Sequence, residues 1–137
     1  MTPSQEILEK YKQVERRADS LGRIIGVGHL RMSQKIKVSE MTPGLEGDTE
    51  VKTPDGNMIS VPRRAYSVIA ASVREIQEPG KPVGMLSFPR NRAELDAVID
   101  RLDDPGFTAA FEAFAALNSD QIAEREALIS EEENVAQ

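Results

Sequence analysis

Within the stretch Asn91–Leu117, NRAELDAVIDRLDDPGFTAAFEAFAAL, residues 91–102 carry the clearest periodicity in the chain. Leu95, Val98, Ile99 and Leu102 fall at i, i+3, i+4 and i+7, which places them on one face of an amphipathic helix. Asp103-Asp104-Pro105-Gly106 breaks the pattern, and Phe107, Ala110, Phe111, Phe114 and Leu117 resume it on a single stripe. Two consecutive helices joined by a tight corner are predicted.

Upstream, Val73–Gln77 and 82–86 flank Glu78-Pro79-Gly80-Lys81, a Pro-Gly turn between β-prone pieces that predicts a hairpin. The run 65–73 is apolar nearly all round, as a buried core helix is. Two polar, strand-prone pieces, 49–53 and 57–61, are separated by Pro54-Asp55-Gly56, which marks a small hairpin or a mobile loop. Residues 31–41 are read as a helix ended by Pro43 and Gly44. Arg23-Ile-Ile-Gly-Val-Gly-His-Leu30 reads as a strand, with glycines on both sides of Val27 marking a bulge or close packing.

From Pro3 to Ala18, Ile7, Leu8, Tyr11 and Val14 follow helical spacing on an otherwise charged segment, predicting a surface helix. Pro3 suits its first turn, and Asp19, Ser20 and Gly22 its exit. Beyond Asn118 six acids face one base, Arg125, so nearly all of the net charge of −6 sits in the last twenty residues. Apolar content there is too low to hold the segment by burial, so 118–137 is read as a weakly helical, solvated acidic tail. The expected fold class is therefore α+β, predominantly helical, with one or two short β-hairpins. Residues 1–117 form a single small domain in this reading.

Composition narrows the function classes. At 137 residues the chain has room for one domain. Leu, Ile, Val and Phe occupy 33 positions, enough for a modest core. Aromatics make up only 4 %, which argues against a large aromatic-lined pocket. The negative charge disfavours nucleic acid or anionic lipid as the main partner. No cysteine and one histidine leave thiolate chemistry, disulfides and Cys- or His-rich metal sites out of reach. No run approaches the length of a membrane span, and the N-terminus has no secretory pattern, so a soluble cytoplasmic protein is expected.

No constellation specifies catalysis, and neither cofactor nor metal is expected. Gly26-Val-Gly28 lacks the third glycine of a dinucleotide fingerprint, and no phosphate-loop Gly-Lys-Ser/Thr occurs. His29 has no identifiable nucleophile beside it and reads as a structural or exposed histidine. The loop 48–57 lacks calcium-site spacing. Glu94, Asp96, Asp100, Asp103 and Asp104 read as the wet face of a helix, with general acid–base chemistry as the sharper alternative. Arg63-Arg64 and Arg90-Asn-Arg92 are small basic clusters able to grip an acidic partner or the acidic tail. The stripe of Phe107, Phe111 and Phe114 is either core or a groove for an apolar partner segment.

A short apolar strand, a helix, Ala70-Ala71-Ser72-Val73 running into a hairpin, Phe88-Pro89, Glu94-Leu95 and Arg101-Leu102-Asp103-Asp104-Pro105-Gly106 follow one another in that order. The order resembles the tail assembly chaperones of long-tailed bacteriophages, over roughly Arg23 to Leu117. The stretch 44–61 is longer than that family's helix connection, and the first helix is not characteristic of it. The resemblance implies a non-catalytic chaperone that coats the tape measure protein in the host cytoplasm and recruits tail tube subunits. It also implies absence from the mature virion and, in similar proteins, a longer frameshifted form. The partner-binding candidates are then Phe107, Phe111, Phe114, Leu117 and Ile122, with Glu131, Glu132 and Glu133 of the tail; self-association is compatible with the reading. The alternative is a small structural tail component that stays in the particle, with the 44–61 hairpin as an intersubunit arm.

Overall fold

The computed structural model describes residues 2–41 and 46–119. A short helix, α1 (Pro3–Lys10), opens the chain and is closed at its start by a capping box between Thr2 and Gln5. Two strands follow, β1 (Val14–Ala18) and β2 (Ile24–Gly28), then the helix α2 (Met32–Met41) and a hairpin of β3 (Asp48–Lys52) with β4 (Met58–Pro62). The helix α3 (Arg63–Ala71) leads directly into β5 (Val73–Gln77), a two-residue strand β6 (Gly84–Met85) pairs with it, and α4 (Arg92–Leu117) completes the described chain.

The strands form two antiparallel sheets, one in the order β1-β2-β5-β6 and the other the β3–β4 hairpin. Ile25 pairs with Arg17 on one side and Ile76 on the other. The register between β2 and β5 shifts between Gly26 and Val27, the bulge that the glycines mark in the sequence. Helices α3 and α4 pack against each other, and α4 crosses β1 and β2. Between these layers Ile25, Val27, Ile76, Leu95, Leu102 and Phe107 are fully enclosed. Ala109, Ala110 and Ala113 are buried beside them, and their small side chains let the helix approach the sheet closely. The buried hydroxyls of Ser67 and Ser72 donate to the carbonyls of Arg63 and Val68, four residues back.

Two expectations are corrected. The chain is not predominantly helical: 47 % of the described residues are helical and 24 % lie in six strands. The two hairpins at the ends of the larger sheet are joined through the β2–β5 ladder into one four-stranded layer. The surface helix expected over 3–18 also ends early, at Lys10. Val14–Ala18 instead pairs residue for residue with Ile24–Gly28 across a tight turn, a case of tertiary pairing overriding local helical spacing. Asp19, Ser20 and Gly22 make that turn. The Asp19 carboxylate accepts the backbone N–H groups of Leu21 and Arg23 at 3.0 and 2.8 Å, and Gly22 supplies a φ of +83°. The reading of a weakly helical acidic tail lies outside the described residues.

Candidate functional site

The junction inside α4 organises this end of the molecule. Asp103, at φ 52° and ψ −170°, interrupts the helix, with Pro105 in the first turn of the limb that follows. The break frees the last carbonyls of the first limb, and Arg23 takes them. Its Nη1 donates to the carbonyl of Arg101 at 2.7 Å and its Nη2 to that of Leu102 at 2.8 Å. A guanidinium at a helix C-terminus also meets the negative end of the helix dipole. Its Nε donates to the Asp19 carboxylate at 2.7 Å, and that carboxylate is fully enclosed. Gly106 leaves the space: a Cβ there would stand 2.9 Å from Nη2 of Arg23.

Beside this junction lies a groove of 270 Å³ between β3, α3 and α4, lined among others by Arg63, Tyr66, Arg92, Asp96 and Asp104. Tyr66 stacks on Phe107 with ring centroids 4.0 Å apart and planes 6° from parallel. Burial first, then the carboxylates of Asp104, Asp103 and Asp100, push its phenol up to about 12. At neutral pH it is a hydrogen-bond donor and not a base. Arg92 is engaged within the chain, donating to Asp96 at 2.9 Å and to the Met41 carbonyl at 3.2 Å. The groove therefore mixes both signs of charge and is smaller than the roughly 300–1,000 Å³ of small-molecule pockets.

The candidate stripe divides by position. Phe107 is fully buried, which for this residue matches the core alternative for the stripe. Phe111 is 45 % exposed. Phe114 and Leu117 are half-buried against the core. Ile122, Glu131, Glu132 and Glu133 lie outside the described residues. Larger apolar exposure occurs elsewhere: Ile7 and Leu8 of α1 are 53 % and 56 % exposed, and α1 has no buried residue. Met32 and Ile36 of α2 are also exposed.

Of the candidate catalytic groups, Asp96 and Asp104 share the groove beside Tyr66, with Asp100 and Asp103 near enough to act on its phenol, while His29, Asp55 and Glu94 lie outside that groove. His29 is buried, and its imidazole is held below its ordinary value by desolvation and then by the charges of Lys10, Arg74 and Lys35. Asp55 organises the β3–β4 turn, accepting from the Thr53 hydroxyl and the Asn57 amide, and these bonds lower its pKa. Glu94 accepts the backbone N–H of Arg90 at 2.7 Å as well as its guanidinium, so the Arg90 and Arg92 cluster is answered by acids of its own helix. Among the described residues no group of three His, Cys, Asp or Glu is placed to hold a metal ion.

Three arginine interactions were not foreseen from the sequence. One is the Arg23 junction. The second is Arg16 on β1, whose Nε and Nη2 donate to Glu75 on β5 at 3.1 and 2.7 Å, reaching across Gly26 of the strand between them. The third is Arg74, whose guanidinium lies over Gly28; a Cβ there would stand 2.5 Å from its Nε. The glycines of β2 were the available signal, since alternate glycines leave one face of a strand open to neighbouring side chains.

Compared with known proteins, the chain matches no family model, no curated protein and no solved structure. Among the described residues no helix is long and apolar enough to cross a membrane.

Proposed function

We propose that the chain is a protein-binding chaperone of bacteriophage tail assembly, which holds the tape measure protein in solution in the host cytoplasm and brings tail tube subunits to it. The resemblance over Arg23 to Leu117 supplies the class. The observation that carries the partner-binding part of the reading lies outside that span, in α1: a capped helix with Ile7 and Leu8 on the outside and no residue of its own buried. Amphipathic helices of this kind dock against apolar segments of partners. Phe111 adds a second exposed apolar point on α4. An acidic chain of net charge −6 keeps a complex with an apolar partner soluble.

Co-expression with the tape measure protein, followed by affinity capture and size exclusion, tests the reading. A soluble complex with several copies of this chain per tape measure protein is expected, weakened by Ile7→Ser with Leu8→Ser. Failure to form a complex, together with stoichiometric recovery of this chain from purified particles, would move the assignment to a structural tail component.

A further inference from the structure

Four cations converge where α1, β2, α2 and β5 meet. Arg74 of β5 donates from Nη1 to the Tyr11 carbonyl at 3.1 Å and from Nη2 to the His29 carbonyl, tying the end of α1 to the end of β2. The Tyr11 ring has the Arg31 guanidinium 5.8 Å and the Lys10 ammonium 6.0 Å from its centroid. Lys35 lies in the first turn of α2, four residues after Arg31, and its backbone N–H donates to the Arg31 carbonyl at 3.0 Å. A cleft of 350 Å³ opens beside them, lined by Leu8, Glu9, Tyr11, Lys12 and Arg31, with Glu9 answered by Lys12 at 3.0 Å.

Among the described residues, none of Lys10, Arg31, Lys35 and Arg74 takes part in an ion pair; the other cations without one, Lys37, Lys52, Lys81 and the adjacent Arg63 and Arg64, are spread over α2, the β3–β4 hairpin, the β5–β6 turn and the start of α3. The corner is thus a patch of unneutralised positive charge on an acidic protein. Its field is felt inside the chain, where Lys10, Arg74 and Lys35 add to burial in disfavouring the charged form of His29.

The chain carries a polyanion that matches it. Residues 120–137 hold six acids and one base, a net of −5 out of −6 for the whole chain. The acids are interspersed with Ile122, Leu128 and Ile129, which suit the apolar flank that Leu8 and Met32 present beside the cations. Eighteen residues extend up to about 60 Å, against a radius of gyration of about 13 Å for a body of this size. Reach therefore does not select the site; concentration of unpaired charge does. We propose that the acidic segment 120–137 docks on its own chain, in the corner formed by Lys10, Arg31, Lys35 and Arg74. This inference does not rest on the function proposed above.

Zero-length carbodiimide cross-linking of the full chain tests it, using an equal mixture of ¹⁴N- and ¹⁵N-labelled protein mapped by mass spectrometry. Expected are links from Glu131, Glu132 or Glu133 to Lys10 and Lys35, severalfold in excess of those to Lys52 and Lys81. They should lie within one isotopic chain and be lost in 1 M salt, where the screening length falls to about 3 Å. Links spread evenly over the six lysines, or formed between isotopic partners, would overturn the proposal. In a second measurement on the full chain, E131Q/E132Q/E133Q should shift the backbone amide resonances of Arg31 and Lys35. Unchanged resonances there would overturn it as well.

Discussion

Arg23 and Leu102, 79 positions apart in the chain, are joined by a 2.8 Å hydrogen bond from guanidinium to carbonyl that closes the first limb of α4. The same side chain holds the enclosed carboxylate of Asp19, so one residue fixes the β1–β2 turn and the helix break together. Truncating one partner of a buried, hydrogen-bonded ion pair leaves the other charge stranded, at a loss of about 3–5 kcal/mol. Arg23→Ala is expected to lose that much, read from urea denaturation. A loss below 1 kcal/mol would place the pair with ordinary surface ion pairs.

Gly106 is expected to reverse the usual helix rule. Alanine in a helix is favoured over glycine by about 1 kcal/mol, yet a Cβ at 106 would stand 2.9 Å from Nη2 of Arg23, an atom anchored at the Leu102 carbonyl. Gly106→Ala should destabilise the protein when Arg23 is present and by less in the Arg23→Ala background, where the 3.1 Å approach to Leu102 Cβ and Cδ2 remains. A double-mutant cycle measures this coupling; additive effects would refute it.

Asp103 sits at φ 52° with ψ −170°, a region glycine alone occupies without strain. Asp103→Gly is therefore expected to raise stability by about 1 kcal/mol, and Asp103→Ala to bring no such gain. Calorimetric melting of the two variants separates these outcomes.

Tyr66 gives the protein an alkaline limit. Its folded-state pKa of about 12 lies above the 10.0 of a free phenol. The unfolded chain therefore releases the proton first; the contribution is fully present below about pH 10 and is lost as pH rises from about 10 to about 12. Tyr66→Phe should flatten this part of the stability–pH curve. Absorbance titration of the phenols supplies an independent reading, and a tyrosine ionising at 10 in its place would contradict the assignment.

The phenylalanines of α4 should separate by readout. Phe107→Ala opens a cavity in the core and is expected to lose about 3–5 kcal/mol, while Phe111→Ser, at a ring 45 % exposed and 6.3 Å from that of Phe107, should lose only about 1 kcal/mol. Partner capture should be weakened by Phe111→Ser at unchanged folding. Equal destabilisation by both variants would show that Phe111 is packed as Phe107 is.

Much of this architecture is legible in the sequence because it is local. The periodic run to Leu102, its break at Asp103, the Pro-Gly turns and the paired glycines around Val27 each act through their immediate neighbours. Strand β1 is hidden for the opposite reason: Val14-Glu-Arg-Arg-Ala18 carries little apolar patterning of its own and takes its conformation from the ladder with β2. The status of Phe107 is likewise settled by Tyr66, a residue of another helix that covers its ring. The cationic corner gathers residues from three separate stretches, Lys10, Arg31 with Lys35, and Arg74, and no single window of sequence contains it.

The span between Arg23 and its carbonyl partners has a consequence during synthesis. At about 5–20 residues per second, roughly 4–16 s pass between the emergence of Arg23 and that of Leu102. Asp19, only four positions away, can hold the guanidinium through that interval. The nascent hairpin thus keeps its one buried cation matched to an anion while the helix that will cover it is still being made.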